Sequence, residues 1–259
     1  MELSQDFKWF TKLLNVPNSM DRPRWLLIAK YILLKFRLDI LFRPLHKIME
    51  RWILLMQFSK WIHKLPPVPF NDFYTFKEED KREKLYEFLI TTELTNNSSP
   101  IDFLEFGVYN GDSIKWWVNR INNADSMFYG FDSFEGLPED WGVVNKNTFS
   151  TNGKTPEIND VRCEFIKGLF QQTLHNFVDT HDFKRKSIIH LDADLYSATL
   201  FVLMTLGKKI KKGDIIIFDQ FNSLAHEFKA FREFTESYYI EYDVIAASNN
   251  FTEVAVRIK

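Results

Sequence analysis

Five acidic residues sit where short apolar runs stop: Glu105, Asp132, Asp192, Asp194 and Asp219. Carboxylates in such positions accept hydroxyls, pair with ammonium groups or hold hard cations. The stretch Asp102-Phe103-Leu104-Glu105-Phe106-Gly107-Val108-Tyr109-Asn110-Gly111 reads as a buried strand. It ends in an acid and turns through two glycines into a helix. Phe128-Tyr129-Gly130-Phe131-Asp132 reads as a second strand, again ending in an acid. A carboxylate at that second tip can accept both hydroxyls of a ribose, and glycines let the backbone approach a nucleoside closely.

The glycine spacing separates two cofactor classes. A dinucleotide loop needs G-x-G-x-x-G, whereas this chain has Glu105-x-Gly107-x-x-x-Gly111 and no G-x-x-x-x-G-K-[ST] anywhere. An acid ahead of the first glycine repels phosphate and attracts an amino group. S-adenosylmethionine carries an amino group and no phosphate. A helix opening at Gly111, capped by Asp112 or Ser113, would turn its free N–H groups toward the carboxylate of a methionine moiety. The alternative of a nucleotide-dependent oxidoreductase is opposed by the missing glycine.

A second cluster follows. The apolar run Ser187-Ile188-Ile189 leads to His190-Leu191-Asp192-Ala193-Asp194, and Ile215-Ile216-Ile217-Phe218 leads to Asp219-Gln220. In a parallel sheet these tips lie side by side at the carboxyl edge. Carboxylates that close repel one another or raise each other's pKa. Mg²⁺ relieves this, since it takes oxygen ligands and needs only one or two carboxylates from the protein. Asp192 and Asp219, with the amide of Gln220, form the candidate metal set. Asp194 is accounted for as the cap of a helix over 195–208. His190, inside an apolar strand, is expected in the core.

The elements that must position these residues alternate. Strands are expected at 102–106, 127–131, 164–167, 187–191, 214–218, 241–247 and 251–258. Helices are expected at 76–95, 111–122, 169–178, 195–208 and 224–237, with a long loop over 133–160. Asn96-Asn97-Ser98-Ser99-Pro100 reads as a turn, and Ser248-Asn249-Asn250 as a hairpin. This is an α/β, doubly wound fold, with a mostly parallel seven-stranded sheet and one antiparallel strand from the closing hairpin.

Asp132-Ser133-Phe134-Glu135-Gly136-Leu137-Pro138 follows the Glu105–Gly111 motif, then come Leu191-Asp192-Ala193-Asp194-Leu195-Tyr196 and Asp219-Gln220-Phe221. In that order the motifs, with Gly168-Leu169-Phe170 between them, closely resemble the macrocin-type sugar O-methyltransferases, a class of S-adenosylmethionine-dependent enzymes. The resemblance covers about residues 80–259. It implies that Glu105, Gly107 and Asp132 bind S-adenosylmethionine and that Asp192 and Asp219 ligate Mg²⁺. The family usually has a second acid where this chain has Gln220. The full candidate cofactor set is Glu105, Gly107, Tyr109, Gly111, Ser113, Asp132, Ser133 and Phe134, with Trp141 as a further aromatic wall. Asp192 and His226 are the candidate catalytic residues, His226 as proton acceptor. The implied substrate is a hydroxyl of a sugar or glycoconjugate.

The rest of the chain bounds the setting. Of 259 residues, 45% are hydrophobic and 26 are Phe, enough for a sizeable core. Cys163 is the only cysteine, which excludes an intrachain disulfide and a cysteine zinc site and fits a reducing, cytoplasmic compartment. Met1 to Phe10 lack the pattern of a signal peptide. Residues 1–65 form a helical arm with twelve Lys/Arg against five Asp/Glu, leaving 21 basic and 30 acidic residues for the domain at 66–259. Leu65-Pro66-Pro67-Val68-Pro69 is the expected linker. Pro44 is expected to separate helices at about 24–42 and 45–63, apolar over most of their surfaces and interrupted by charge. Such an arm packs in a homo-oligomer, caps the main domain or contacts a membrane surface. A non-catalytic scaffold built on the arm is the alternative from outside enzymology. No basic–aromatic stripe suggests nucleic-acid binding.

Overall fold

A computed structural model describes residues 23–72, 82–94 and 99–259. The chain forms two compact units, Met1–Ile53 and Leu54–Lys259. The expectations for Met1 to Phe10, for the start of the 76–95 helix and for most of the 96–100 turn lie outside the described residues.

The larger unit is a three-layer α/β sandwich. In chain order it contains β1 (Phe70–Asn71), α3 (Arg82–Glu93), β2 (Ile101–Phe106), α4 (Asp112–Arg120), β3 (Met127–Asp132), β4 (Cys163–Lys167) and α5 (Phe170–Thr180). Then follow β5 (Lys186–Leu191), α6 (Tyr196–Leu206), β6 (Ile215–Phe218), a π-helical turn at Leu224–Phe228, α7 (Lys229–Tyr238), β7 (Tyr242–Ser248) and β8 (Glu253–Ile258). Strand order is β1-β7-β8-β6-β5-β2-β3-β4, with β8 antiparallel to both its neighbours and the other pairings parallel. All seven expected strands are present. The eighth, β1, is a two-residue edge strand on β7, too short to leave a periodic signal.

The central strands are buried almost throughout and mostly apolar because helices cover both faces. On one face Phe106, Phe131, Leu191 and Phe218 pack with α5, α6 and α7; on the other Phe103, Phe128, Ile188 and Ile215 pack with α3 and α4. Trp117 is fully buried and stacks on Phe103 at 5.0 Å.

Register decides what reaches the carboxyl edge. Phe106 is paired with both Phe131 and Leu191, and Leu191 with Phe218. The next residues, Gly107, Asp132, Asp192 and Asp219, therefore emerge in one row. Backbone bonds extend the ladder past the strands: the Gly107 N–H donates to Phe131 O, Asp192 N–H to Phe106 O and Asp219 N–H to Leu191 O, at 2.9–3.0 Å. The chain winds one way from β2 through β3 to β4, and the other way from β5 to β6. The β2/β5 boundary is thus the switch point where such sheets bind ligands.

In the arm, α1 (Arg24–Lys35) and α2 (Asp39–Ile62) are separate helices. The break lies at Phe36–Leu38, not at Pro44, which sits inside α2. Arg37 at φ 51 makes the turn. Pro44 is close enough to the helix start that its missing N–H strands a single carbonyl near the end. No residue of α1 is buried. In α2 only Leu54 and Phe58 are, and Phe58 belongs to the core of the larger unit.

Candidate functional site

A cavity of about 320 Å³ opens at the switch point, within the size range of small-molecule sites. Glu105, Gly107, Tyr109, Ser113, Asp132, Ser133, Asp192, Asp194, Asp219 and Gln220 all line it, as do Trp141 and Phe149. Three of the proposed residues do not. Phe134 is fully buried in the core, Gly111 packs against Pro156, and His226 accepts the Tyr196 N–H on its Nδ1 at 3.2 Å and faces Trp141.

Gly107 is where the two motifs meet. Its φ is +93, and a Cβ there would lie 1.9 Å from the carbonyl oxygen of Asp192. Only glycine lets β2 and β5 close at their tips. Gly111, at φ +79, supplies the left-handed residue that opens α4. No side chain caps that helix, so the expected capping by Asp112 or Ser113 is not observed. Ser113 instead lies 3.3 Å from Tyr86 Oη.

Asp132 organises the loops around it. Its Oδ2 accepts the N–H groups of Val108 and Tyr109 at 2.8 and 2.9 Å, and Oδ1 accepts that of Phe134 at 2.8 Å. A carboxylate has about four lone-pair positions, so three are taken. By that count one lone-pair position of Asp132 stays open toward the cavity.

Glu105 is 1% exposed. Its Oε1 lies 3.0 Å from His190 Nδ1, and Tyr86 Oη lies 3.1 Å from His190 Nε2. A ring protonated at Nδ1 satisfies both contacts, donating to the carboxylate and accepting from the phenol. Glu105 Oε2 makes no hydrogen bond of good geometry. Burial pushes this carboxyl up to about 8, against the lowering influence of Ser113 and Arg82. Burial also pushes His190 down to about 4, which keeps the ring neutral. His190 is the core residue that its strand position suggests.

The acids of β5 and β6 form one electrostatic group. The Asp192 and Asp219 carboxyls lie close enough to influence each other's ionisation. Asp192, Asp194 and Asp219 are each pushed up to about 7, first by desolvation and then by one another. Asp194, buried with φ +59, does not cap α6; the preceding residue of that helix is Leu195. Sequence reasoning missed two members. The Arg82 guanidinium lies between the acids, 3.1 Å from Asp219 Oδ1 and 3.6 Å from Asp192 Oδ2. Glu227 is fully buried, accepts the Gln220 N–H at 3.0 Å and leaves Oε1 without a hydrogen bond. Arg82 comes from a charged run that reads as a solvated helix face. Glu227 lies in a π-helical turn that has no distinct sequence pattern.

Among the described residues no group of three or more His, Cys, Asp or Glu is placed to hold a metal. The Asp192–Asp219 pair nevertheless offers carboxylate oxygens of the kind that hard divalent cations take. Its chemistry fits a cation, and in this structure a cationic side chain lies against both acids.

The profile of the macrocin-O-methyltransferase family matches residues 79–252. Two solved structures share the fold. The O-methyltransferase NovP is 19% identical over 68% of this chain and 79% of its own, with a TM-score of 0.55. The calicheamicin methyltransferase CalS11 is 16% identical over 99% of this chain and 94% of its own, with a TM-score of 0.51. No match was found among the curated proteins. With the family's motifs converging on one cavity, and its profile spanning most of the larger unit, the chain belongs to the macrocin-O-methyltransferase family and is an S-adenosylmethionine-dependent O-methyltransferase.

Proposed function

We propose that the enzyme methylates a hydroxyl of a sugar or glycoconjugate, using the residues that line the cavity at the β2/β5 boundary. The observation that carries this is the row of acids lining the cavity, in which Glu105 Oε2 and Asp219 Oδ1 are buried without a hydrogen bond. Glu105 Oε2 is suited to the amino group of the methionine moiety. Asp132 has one acceptor position left for a ribose hydroxyl. Tyr109, Phe149 and Trp141 supply aromatic walls. The sugar acceptor is supported by the family's macrocin substrate and by the glycosyl chemistry that the sequence motifs resemble.

The reaction is an in-line displacement. The acceptor oxygen forms a bond to the methyl carbon as the S–CH₃ bond breaks, the sulfonium electrons return to sulfur, and the hydroxyl proton passes to a base. Asp192 is assigned as that base. It lines the cavity, and a carboxyl near 7 both accepts and releases a proton at neutral pH. His226 is a poorer candidate because its Nδ1 is engaged by the Tyr196 amide. Asp192, Asp219 and Gln220 are the residues that would hold a divalent cation, which when bound would supply Lewis-acid activation of the hydroxyl; Asp192 would then take the proton only through an oxygen that the cation leaves free. Gln220 offers a neutral oxygen in place of an acid, so weak metal affinity is expected. Arg82 orients the two carboxylates from the other side.

The half-buried lone Cys163 and the donor favour a reducing, cytoplasmic setting. The test is transfer of labelled methyl from S-adenosylmethionine to candidate glycans and glycosylated small molecules, read by mass. A single-methyl gain on a glycosyl hydroxyl is expected. Methylation of only non-sugar hydroxyls would overturn the sugar assignment, and failure to bind the donor would overturn the site.

A further inference from the structure

We infer that the N-terminal half of α2 is a membrane-surface helix that lies on an anionic lipid bilayer. Its residues separate by spacing. Leu41, Leu45, Ile48, Met49 and Trp52 follow the i, i+4, i+7, i+8, i+11 pattern of one helix face. Arg43, His46, Lys47, Glu50 and Arg51 follow the same kind of pattern on the other. At ~100° per residue the two sets are centred almost opposite each other. Ile40, Phe42 and Ile53, 48% to 62% exposed, flank the apolar set, so the polar residues form the narrower strip. The apolar set is not buried: its members are 48% to 68% exposed. An aqueous protein rarely leaves a continuous face of this kind open.

Charge selects the occupant. Between Arg24 and Ile53 there are seven Lys/Arg and two Asp/Glu. A second copy of the face would bring two positively charged arms together, whereas an anionic bilayer attracts the basic residues and takes up the apolar face. Trp25 and Trp52, 68% and 62% exposed, are of the type that anchors at the headgroup level. Among the described residues no helix is long and apolar enough to cross a membrane, so the helix lies in the surface. Such a placement would give the enzyme access to acceptors carried on lipid.

The experiment is co-sedimentation of the full chain with vesicles of phosphatidylcholine alone or mixed with phosphatidylglycerol. Binding is expected to the mixed vesicles only and to weaken with salt. The triple variant Arg43→Glu, Lys47→Glu, Arg51→Glu should bind at least about tenfold more weakly. Calorimetry with S-adenosylmethionine, unchanged in that variant, checks that the fold survives and keeps this test separate from the methyltransferase assignment. Absence of binding by the wild type to mixed vesicles would overturn the inference. So would equal binding to neutral ones, or a stable dimer in analytical ultracentrifugation with no vesicle affinity. The wild-type result decides the matter even if the variant fails to fold.

Discussion

The two ends of the central sheet bury acids in opposite ways. At the amino ends, Asp102 and Asp214 are fully buried, and every carboxylate oxygen has a partner. Asp102 pairs with Arg185 at 2.9 Å and His181 at 3.0 Å. Asp214 accepts the Ser187 and Lys211 N–H groups, each at 2.9 Å. At the carboxyl ends, Glu105 and Glu227 each leave an oxygen without a hydrogen bond, and Asp219 Oδ1 has only the ion pair with Arg82. Burying a carboxyl without partners costs several kcal/mol in a stability of only about 5–15 kcal/mol. The amino-end acids hold strands together. Of the carboxyl-end acids, Asp132 is held by three backbone N–H groups, whereas Glu105, Asp219 and Glu227 carry oxygens that cost stability and are open to a ligand.

That contrast can be broken or sharpened by substitution. The largest effect is expected for Gly107→Ala, which drives a Cβ into the Asp192 carbonyl and strains a positive φ. It should lower stability by about 4 kcal/mol, seen in chemical denaturation, and abolish donor binding. Next, Asp219→Asn should reduce methyl transfer by ~10²–10³-fold without lowering the melting temperature, since it removes an acid that the fold does not satisfy. Asp102→Ala should do the reverse. It should lower stability by about 2–3 kcal/mol, moderated by the partial exposure of Arg185, and leave donor affinity intact.

Smaller effects are expected where one contact among several is lost. Asp132→Asn should weaken S-adenosylmethionine binding by about tenfold, because the amide repels at least one of the three loop N–H groups that it meets. The smallest concerns Glu105. Its pKa near 8 means that the free enzyme holds that proton at pH 7, while pairing with an ammonium requires the carboxylate. Donor binding at pH 7 should release up to one proton, and affinity should rise with pH to a maximum near 8 and fall above it as the donor's amino group loses its own proton. Calorimetry in buffers of different ionisation heat measures this directly.

Much of the site was legible because strand ends leave a strong signature. An apolar run can be recognised from residue types alone, and an acid or glycine at its end cannot belong to the core pattern. Glu105, Gly107, Asp132, Asp192 and Asp219 were found in this way, and the parallel sheet followed from the βα rhythm. What escaped depends on packing between distant segments. Arg82 reaches Asp219 across more than a hundred residues. Glu227 is distinguished only by complete burial. Phe134 cannot be told from a ligand wall in a chain with 26 Phe. Asp194 looks like a cap until its φ of +59 is known. The break at Arg37 was hidden by a more conspicuous proline at 44.

The most direct test of the contrast between the two sheet ends is a calorimetric titration of S-adenosylmethionine into the full chain, repeated for Asp132→Asn and Asp102→Ala. Saturable binding by the wild type and by Asp102→Ala, weakened in Asp132→Asn, is the predicted result. No binding by the wild type, or undiminished binding by Asp132→Asn with loss in Asp102→Ala, would contradict it.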